Sequence, residues 1–237
     1  MTPDRDASVR TVVITGAAGN LGQAVARLFE ARGDNVVLVG RRESLVSAFR
    51  SESAQRMFAT VDLLDAAHVG AAIAAAVERF GGIDVLCNIA GGFAMGQPIH
   101  ATSDEDWSAM FDVNLRTTLN AMRAVVPTML LRGGGKVVNV AASAGIKGAA
   151  GMGPYAAAKS AIVRVTESMA AELREKNVNV NCVLPTVIDT PQNRRAMPNA
   201  DPSRWVAPRD VASVIAFLAS EDARAIHGAA LPVAGLS

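Results

Sequence analysis

The sequence predicts an α/β fold in which a parallel, doubly wound sheet of seven strands carries helices on both faces. Short β-branched runs alternate with alanine-rich stretches along the chain, and this strand–helix repetition is typical of a parallel sheet. The strand runs are continuously apolar, which indicates strands covered on both faces. The predicted strands are residues 11–16, 35–40, 57–63, 83–91, 135–143, 178–185 and 228–235.

The stretches between the strands predict helices because their apolar residues recur at spacings near three and four, as at Trp107, Phe111 and Leu115. The predicted helices are residues 20–32, 43–50, 66–80, 104–131, 155–175 and 209–220. Residues 190–208 are rich in Pro, Asn and Arg and interrupt the pattern, so we expect a substrate loop there. Residues 1–9 are expected to be a disordered N-terminal lead, and residues 10–237 a single domain.

Composition and charge exclude several classes of protein. Half of the 237 residues are apolar and 19% are charged, which indicates a globular chain. The 23 basic and 22 acidic residues nearly balance, so nothing favours binding to nucleic acid or an anionic membrane. The first ten residues lack an apolar signal core and no apolar run could span a bilayer, so we expect a cytoplasmic protein.

The cysteines and histidines indicate neither a disulfide nor a metal site. Cys87 and Cys182 lie in apolar runs and are expected to be buried thiols in a reducing compartment. The three histidines are scattered, and none has metal-ligand spacing with a suitable partner. We therefore predict no metal site.

A glycine-rich turn follows the first predicted strand and opens the first predicted helix. Gly16, Gly19 and Gly22 are spaced G-x-x-G-x-x-G, which differs from the G-x-G-x-x-G fingerprint. Glycines permit a tight reversal and a close approach to a pyrophosphate, which the helix N-terminus then binds. We predict dinucleotide binding by this turn, including Asn20 and Leu21, in preference to a purely structural turn.

The end of the second strand bears on the choice of dinucleotide. A domain that binds NAD usually carries an acid about 20 residues past the glycine turn, whereas this chain has Gly40 followed by Arg41 and Arg42. An acid would repel a 2′-phosphate, and a guanidinium can bind one through two hydrogen bonds. We therefore expect NADP, with Arg41 the more important arginine. NAD stays as an alternative, as do two merely solvated arginines.

Tyr155 is the only tyrosine of the chain and stands four positions before Lys159. Residues at this spacing lie on one helix face, so both side chains can point into one cleft. A free phenol has a pKa of about 10, which a nearby ammonium lowers. Such a phenol suits proton delivery to a carbonyl oxygen as hydride reaches its carbon. Ser143, at the end of the fifth predicted strand, could hydrogen-bond the same oxygen.

Taken together, these features resemble the short-chain dehydrogenase/reductase family over essentially residues 10–235. The motifs are TGAAGNLG (15–22), VDLLD (61–65), CNIAGG (87–92), FDVNL (111–115), VVNVAASAG (137–145), YAAAK (155–159) and NCVLPTVIDT (181–190). The resemblance implies one Rossmann-type dinucleotide-binding catalytic domain that transfers hydride between NAD(P) and a carbonyl or alcohol. We expect NADPH-dependent reduction of a carbonyl, or the reverse oxidation.

The resemblance also implies roles for individual residues. Tyr155 would be the acid/base, and Lys159 would bind the nicotinamide ribose and lower the tyrosine pKa. Ser143 would orient the carbonyl, and Asn114 would hold a water in the proton path. The implied cofactor contacts are Asp62 at adenine, Leu63, then Asn88, Ala90 and Gly91 on the adenosine ribose side, Pro185, and Ile188 and Thr190 at the nicotinamide carboxamide.

The substrate and the assembly are less defined by the sequence. The candidate substrate contacts are Phe93, Met95, Ile146, Met152, Gln192 and Trp205. The stretch 189–205 is similar to dihydropteridine reductases, so a quinonoid reductase stays as an alternative, as do a sugar-nucleotide epimerase and a non-catalytic NADP-binding sensor or regulator. The apolar stripes of helices 104–131 and 155–175 favour a homo-oligomer, a tetramer or a dimer.

Overall fold

A single parallel sheet runs through the part of the chain that the computed structural model describes, residues 9–237. Its strands are β1 (Thr11–Thr15), β2 (Asn35–Gly40), β3 (Arg56–Thr60), β4 (Val85–Asn88), β5 (Gly135–Val140), β6 (Val178–Pro185) and β7 (Ala230–Val233). They lie in the order β3-β2-β1-β4-β5-β6-β7, and every neighbouring pair is parallel. The predicted seven-stranded, doubly wound sheet is confirmed. The predicted N-terminal lead lies outside the described residues, apart from Val9.

Helices cover both faces of this sheet. They are α1 (Asn20–Ala31), α2 (Arg42–Phe49), α3 (Ala66–Phe80), α4 (Asp104–Phe111), α5 (Thr117–Arg132), α6 (Gly153–Leu173), α7 (Pro191–Ala196) and α8 (Pro208–Leu218). On one face α1, α2 and α8 form a core around Phe29, Leu45 and Ile215. On the other face α3, α5 and α6 form a core around Ile73 and Met122. All eight residues of β6 are buried, as the continuous apolar runs predict.

The long helix predicted at residues 104–131 is interrupted. A π-helical turn, Asp112–Arg116, separates α4 from α5, and Asn114 lies inside it. The Asn114 side chain donates from Nδ2 to the carbonyl oxygens of Met110 and Gly92, each at 3.0 Å. A side-chain amide that binds backbone carbonyls competes with regular helical bonding, and such turns are frequent at functional sites.

The predicted loop at residues 190–208 has more local structure than its composition indicates. It contains α7, whose first turn is capped by the Thr190 hydroxyl, which accepts from the Asn193 amide at 3.1 Å. An isolated parallel bridge joins Ile188 to Val206. This segment follows β6 at the carboxyl edge of the sheet, where ligands bind in open α/β folds.

The structure also bears on the cysteines, on metal binding and on membrane spans. Cys87 and Cys182 are buried free thiols in β4 and β6. In residues 9–237 no group of three or more His, Cys, Asp or Glu side chains could hold a metal ion. None of the described helices is both long and apolar enough to cross a membrane.

Candidate active site

A cleft of about 860 Å³ opens at the carboxyl ends of β1, β2 and β4. The residues of the sequence prediction that line it are Gly16, Gly19, Arg41, Arg42, Asp62, Leu63, Ala90 and Gly91. Polar residues that the sequence prediction missed also line it, and they include Ser44, Thr60, His68 and Thr117. Thr60 ends β3, so the rule that ligands bind beyond strand ends could have found it.

The glycine turn makes a close contact that only a residue without a side chain permits. Gly16 has a φ of +63°, and a Cβ on it would lie 2.8 Å from the Cα of Ala90. Gly19 caps α1 and donates its amide to the Gly16 carbonyl at 3.0 Å. The Leu21 side chain lies in the core, and Gly22 packs against the Gly16 carbonyl. The turn therefore presents backbone, not side chains, to the cleft.

The first residue of α1 links the turn to the segment after β6. The Asn20 side chain donates from Nδ2 to Oε1 of Gln192, in α7, at 2.8 Å. Within α7 the Arg194 guanidinium makes two bonds to the Asp189 carboxylate, at 2.6 and 2.8 Å. The first contact joins α7 to the glycine turn, and the second ties α7 to the segment before it.

Two arginines stand unpaired beyond β2. Arg41 caps α2 and Arg42 opens it, directly after Gly40. Both line the cleft, together with Glu43 and Ser44. Within residues 9–237 neither guanidinium makes an ion pair or a side-chain hydrogen bond, so both are available to an anion.

Asp62 and Leu63 form the rim of the cleft after β3. The Asp62 carboxylate accepts from the Leu64 amide at 2.9 Å, which fixes the turn before α3. The Asn120 side chain, from α5, donates to the Leu63 carbonyl at 2.9 Å. Asn120 was not predicted, and it supports this rim from behind.

Asn88 is placed inside the sheet, not along the cleft. It is buried, and its Nδ2 donates to Oδ1 of Asn139, on β5, at 2.9 Å. Asn139 in turn donates to the Thr166 hydroxyl, on α6, at 2.9 Å. Ala90 and Gly91 do line the cleft. Asn88 therefore joins β4 to β5 beneath the site, and its contact with the cofactor stays a prediction.

Two of the predicted catalytic side chains converge behind Gly91. A Cβ on Gly91 would lie 2.8 Å from Asn114 Oδ1 and 3.2 Å from Lys159 Nζ. Asn114 is held by Gly92, whose amide donates to its Oδ1 at 3.2 Å. Lys159 Nζ donates to the carbonyl of Val140, the last residue of β5, at 3.0 Å. Burial lowers the pKa of Lys159 to about 8.

Tyr155 lies half-buried in the first turn of α6, on the same side as Lys159. The Lys159 Nζ atom is 5.9 Å from the centre of the tyrosine ring. Burial raises the pKa of Tyr155 to about 12. The predicted lowering by the lysine is therefore corrected: the ammonium binds Val140, and removal of the phenol from water has the larger effect.

Ser143 lies three residues beyond the end of β5 and is exposed. It begins a 3₁₀ turn, Ser143–Gly145, only three residues after the carbonyl that binds Lys159. A Cβ on Gly145 would lie 2.9 Å from the Lys159 carbonyl oxygen, so this turn packs closely on α6. The fold thus brings Ser143 to the helix that carries Tyr155.

The predicted contacts after β6 lie outside the large cleft. Pro185 ends β6, and the hydroxyl of the next residue, Thr186, donates to the Ala234 carbonyl at 2.8 Å. The Ile188 carbonyl accepts from the Asn193 side chain at 2.8 Å. The Thr190 hydroxyl is used as a helix cap. Residues 185–193 are therefore held in place largely by hydrogen bonds of their own side chains, next to the cleft and not along it.

Comparison with known proteins shows that this chain is similar to a large group of dehydrogenases and reductases. A family model described as short chain dehydrogenase matches residues 10–201. The 2-(R)-hydroxypropyl-CoM dehydrogenase of Xanthobacter autotrophicus is 34% identical over 243 residues, which cover 95% of this chain and 97% of the relative.

Two solved structures show the same arrangement of the whole chain. ElxO with NADP bound gives a TM-score of 0.88 at 26% identity and covers 96% of this chain and 98% of its own. NAD⁺-bound xylitol dehydrogenase also gives 0.88 at 26% identity, covering 97% of this chain and 100% of its own. Since the family model and the relative both match most of the chain, this protein belongs to the short-chain dehydrogenase/reductase family of oxidoreductases.

Proposed function

We propose that the chain catalyses NADPH-dependent reduction of a carbonyl to an alcohol, or the reverse oxidation, with Tyr155 as the acid/base. The observation that carries the proposal is the grouping of three side chains at one place in the site. Asn114 and Lys159 meet behind Gly91, and the Lys159 Nζ atom lies 5.9 Å from the centre of the Tyr155 ring. Tyr155 adds a proton donor that cofactor binding alone does not require, which favours an enzyme over a sensor.

The residues present fit a nicotinamide dinucleotide. Gly16 has no side chain and lies close to Ala90, so a pyrophosphate can approach the backbone there. The first turn of α1 offers its free backbone N–H groups to that pyrophosphate. The unpaired Arg41, with Arg42 beside it, suits the 2′-phosphate that distinguishes NADP from NAD. One structural relative binds NADP and another binds NAD⁺, so the preference for NADP rests on these arginines. When bound, the cofactor would supply or accept the hydride.

The protein's own part is to position the carbonyl and move one proton. With a pKa of about 12, Tyr155 holds its proton at neutral pH and can donate it to a carbonyl oxygen. The exposed Ser143 hydroxyl would donate a hydrogen bond to the same oxygen. Lys159 would stabilise the resulting phenolate from the interior side. A water between Asn114 Oδ1 and Lys159 Nζ would continue the proton path.

Turnover can be separated from cofactor binding by one substitution. Tyr155→Phe removes the hydroxyl and keeps the ring, so loss of NADPH absorbance with a panel of ketones should stop. NADPH binding, measured by fluorescence titration, should be nearly unchanged. Retained turnover in this variant would remove Tyr155 from the mechanism.

The assembly and location are also proposals. We infer a homo-oligomer, a dimer or tetramer, built on α4, α5 and α6, because Trp107 and Phe111 form a half-buried ring pair on α4, with ring centres 6.2 Å apart. Light scattering after gel filtration measures the assembly directly. The buried free thiols Cys87 and Cys182 favour a cytoplasmic location.

A further inference from the structure

Four exposed apolar side chains border the site beside Tyr155. They are Phe93, Met95, Ile99 and Ile146, which we call the apolar wall. Each is between 58% and 68% exposed. Phe93, Met95 and Ile146 were candidates from the sequence, and Ile99 was not. Large apolar residues grouped at this level of exposure mark a surface that binds a ligand.

The apolar wall is attached directly to the catalytic helix. The Phe93 ring packs edge-to-face on the Tyr155 ring, with centres 4.9 Å apart and planes at 88°. The Gly96 amide donates to the Gly151 carbonyl at 2.9 Å. A Cβ on Gly153, the first residue of α6, would lie 2.8 Å from Ile99. The wall therefore starts within two residues of Tyr155.

The other end of the wall adjoins Ser143. Ile146 closes the 3₁₀ turn that Ser143 begins, and its amide donates to the Ser143 carbonyl at 3.0 Å. Phe93 therefore lies against Tyr155, and Ile146 lies three residues after Ser143, so each of the two hydroxyl groups that would bind the carbonyl has an exposed apolar residue near it.

The two segments that carry the wall contain almost no charge. Residues 92–101 and 142–154 include no Asp, Glu or Arg, and their only titratable side chains are His100 and Lys147. Lys147 adjoins Ile146 in the chain, so these segments are apolar without being free of positive charge. The common feature of the four wall residues is their exposed apolar surface, which an apolar substituent of the substrate would cover.

We propose, on the basis of the function proposed above, that the substrate is a ketone bearing an aryl group, and that Phe93 determines this specificity. The aryl group packs on the apolar wall while its carbonyl meets Tyr155 and Ser143. An aromatic group suits this surface because the exposed part of the Phe93 ring can form a second edge-to-face or stacked pair.

A matched pair of ketones tests the proposal. Acetophenone and butanone are both methyl ketones, and only acetophenone has the ring. We expect kcat/KM with NADPH to be about tenfold or more higher for acetophenone than for butanone. Equal values for the two ketones would overturn the proposal.

Phe93→Ala separates substrate recognition from support of the catalytic tyrosine. It should lower kcat/KM for acetophenone about tenfold more than for butanone, mainly through KM. Phe217→Ala removes a similarly exposed phenylalanine from α8, away from the wall, and should change neither substrate. An equal loss for all ketones in Phe93→Ala would show that Phe93 only positions Tyr155, and would overturn the proposal.

A binding measurement keeps this inference distinct from the proposed function. Acetophenone binding to the NADPH complex can be followed by saturation-transfer NMR in Tyr155→Phe protein, which should not turn over. If acetophenone binds Tyr155→Phe protein and the additional substitution Phe93→Ala abolishes that binding, the apolar wall is supported. This holds even if the wild-type protein reduces no ketone, because that failure would refute only the proposed function. Binding that is absent, or unaffected by Phe93→Ala, overturns the inference.

Discussion

Replacement of Lys159 by methionine should stabilise the fold while it abolishes turnover. Lys159 is only 5% exposed, and within the described residues its Nζ atom has no carboxylate partner, only the Val140 carbonyl at 3.0 Å. Burial lowers its pKa from 10.5 to about 8. A charged group held in this way destabilises the native state, and methionine has a similar length without the charge.

The magnitude follows from the pKa. One pKa unit corresponds to about 1.4 kcal/mol, so the fall from 10.5 to about 8 corresponds to about 3 kcal/mol at pH 7. The variant leaves the Val140 carbonyl without its hydrogen bond, which costs about 1 kcal/mol. The free energy of unfolding of Lys159→Met at pH 7 should therefore exceed that of the wild type by about 2 kcal/mol.

The stability difference should also depend on pH. Between pH 8 and 10.5 the unfolded chain holds the lysine proton and the native wild type has released it. The wild type therefore gains stability as pH rises through this window, by about 3 kcal/mol in total. The variant lacks the group, and Tyr155 titrates in both proteins, so its effect cancels in the difference. The advantage of the variant should be constant below pH 8 and lost by about pH 10.5.

Urea unfolding of the cofactor-free proteins at pH 7, 8.5, 9.5 and 10.5 measures this difference. Lys136→Met is the matched control, because Lys136 is also buried but bonds to Asn179 Oδ1 at 2.9 Å and lies 3.3 Å from Glu221 Oε1. Its replacement should destabilise the fold at pH 7. If Lys159→Met is also destabilised at pH 7, or if its difference from the wild type does not vary with pH, the reasoning is refuted.

Three further predictions follow from the site. With the pKa of Tyr155 at about 12, kcat/KM for carbonyl reduction should be constant between pH 6 and 8. The kcat/KM for alcohol oxidation, which needs the phenolate, should rise about tenfold per pH unit over the same range. Steady-state pH profiles in both directions test this, and a flat profile for oxidation contradicts it. Arg41→Ala should raise KM for NADPH about tenfold and leave NADH nearly unchanged, whereas equal losses with both cofactors would exclude a phosphate contact. Gln192→Ala removes the hydrogen bond that Asn20 makes to α7. Trypsin should then cleave residues 190–205 faster, and NADPH should dissociate faster in stopped-flow measurements. If the cleavage rate and the dissociation rate are both unchanged, the bond does not hold α7.

Local patterns in the sequence were sufficient for much of the fold and part of the site. Short apolar and β-branched runs identified the strands, and they are most continuous in β1 and β2, because a strand covered on both faces has no polar side to interrupt it. Gly16 could be identified from the glycine spacing after the first strand. The structure gives the reason, because the positive φ of Gly16 and its contact with Ala90 require glycine at that position. Tyr155 and Lys159 could be paired because four residues make about one helical turn.

Features that depend on distant parts of the chain could not be read in this way. The π-helical turn at Asn114 depends on Gly92, and the interior position of Asn88 depends on Asn139. The contact between Phe93 and Tyr155 joins two segments with no common motif. In each case the partner is chosen by the packing of the sheet and its helices, not by neighbours in sequence.

The sequence by itself determined which chemical groups this protein has and on which elements they lie: the glycine turn, the arginines after β2, and a tyrosine and lysine on one helix face. Only the tertiary structure decided their electrostatic state. The sequence predicted a lowered tyrosine pKa from proximity to the lysine, whereas burial raises it and lowers that of the lysine. The physical reason is that spacing along a helix sets the distance between two groups, but the cost of removing each from water depends on everything packed around them.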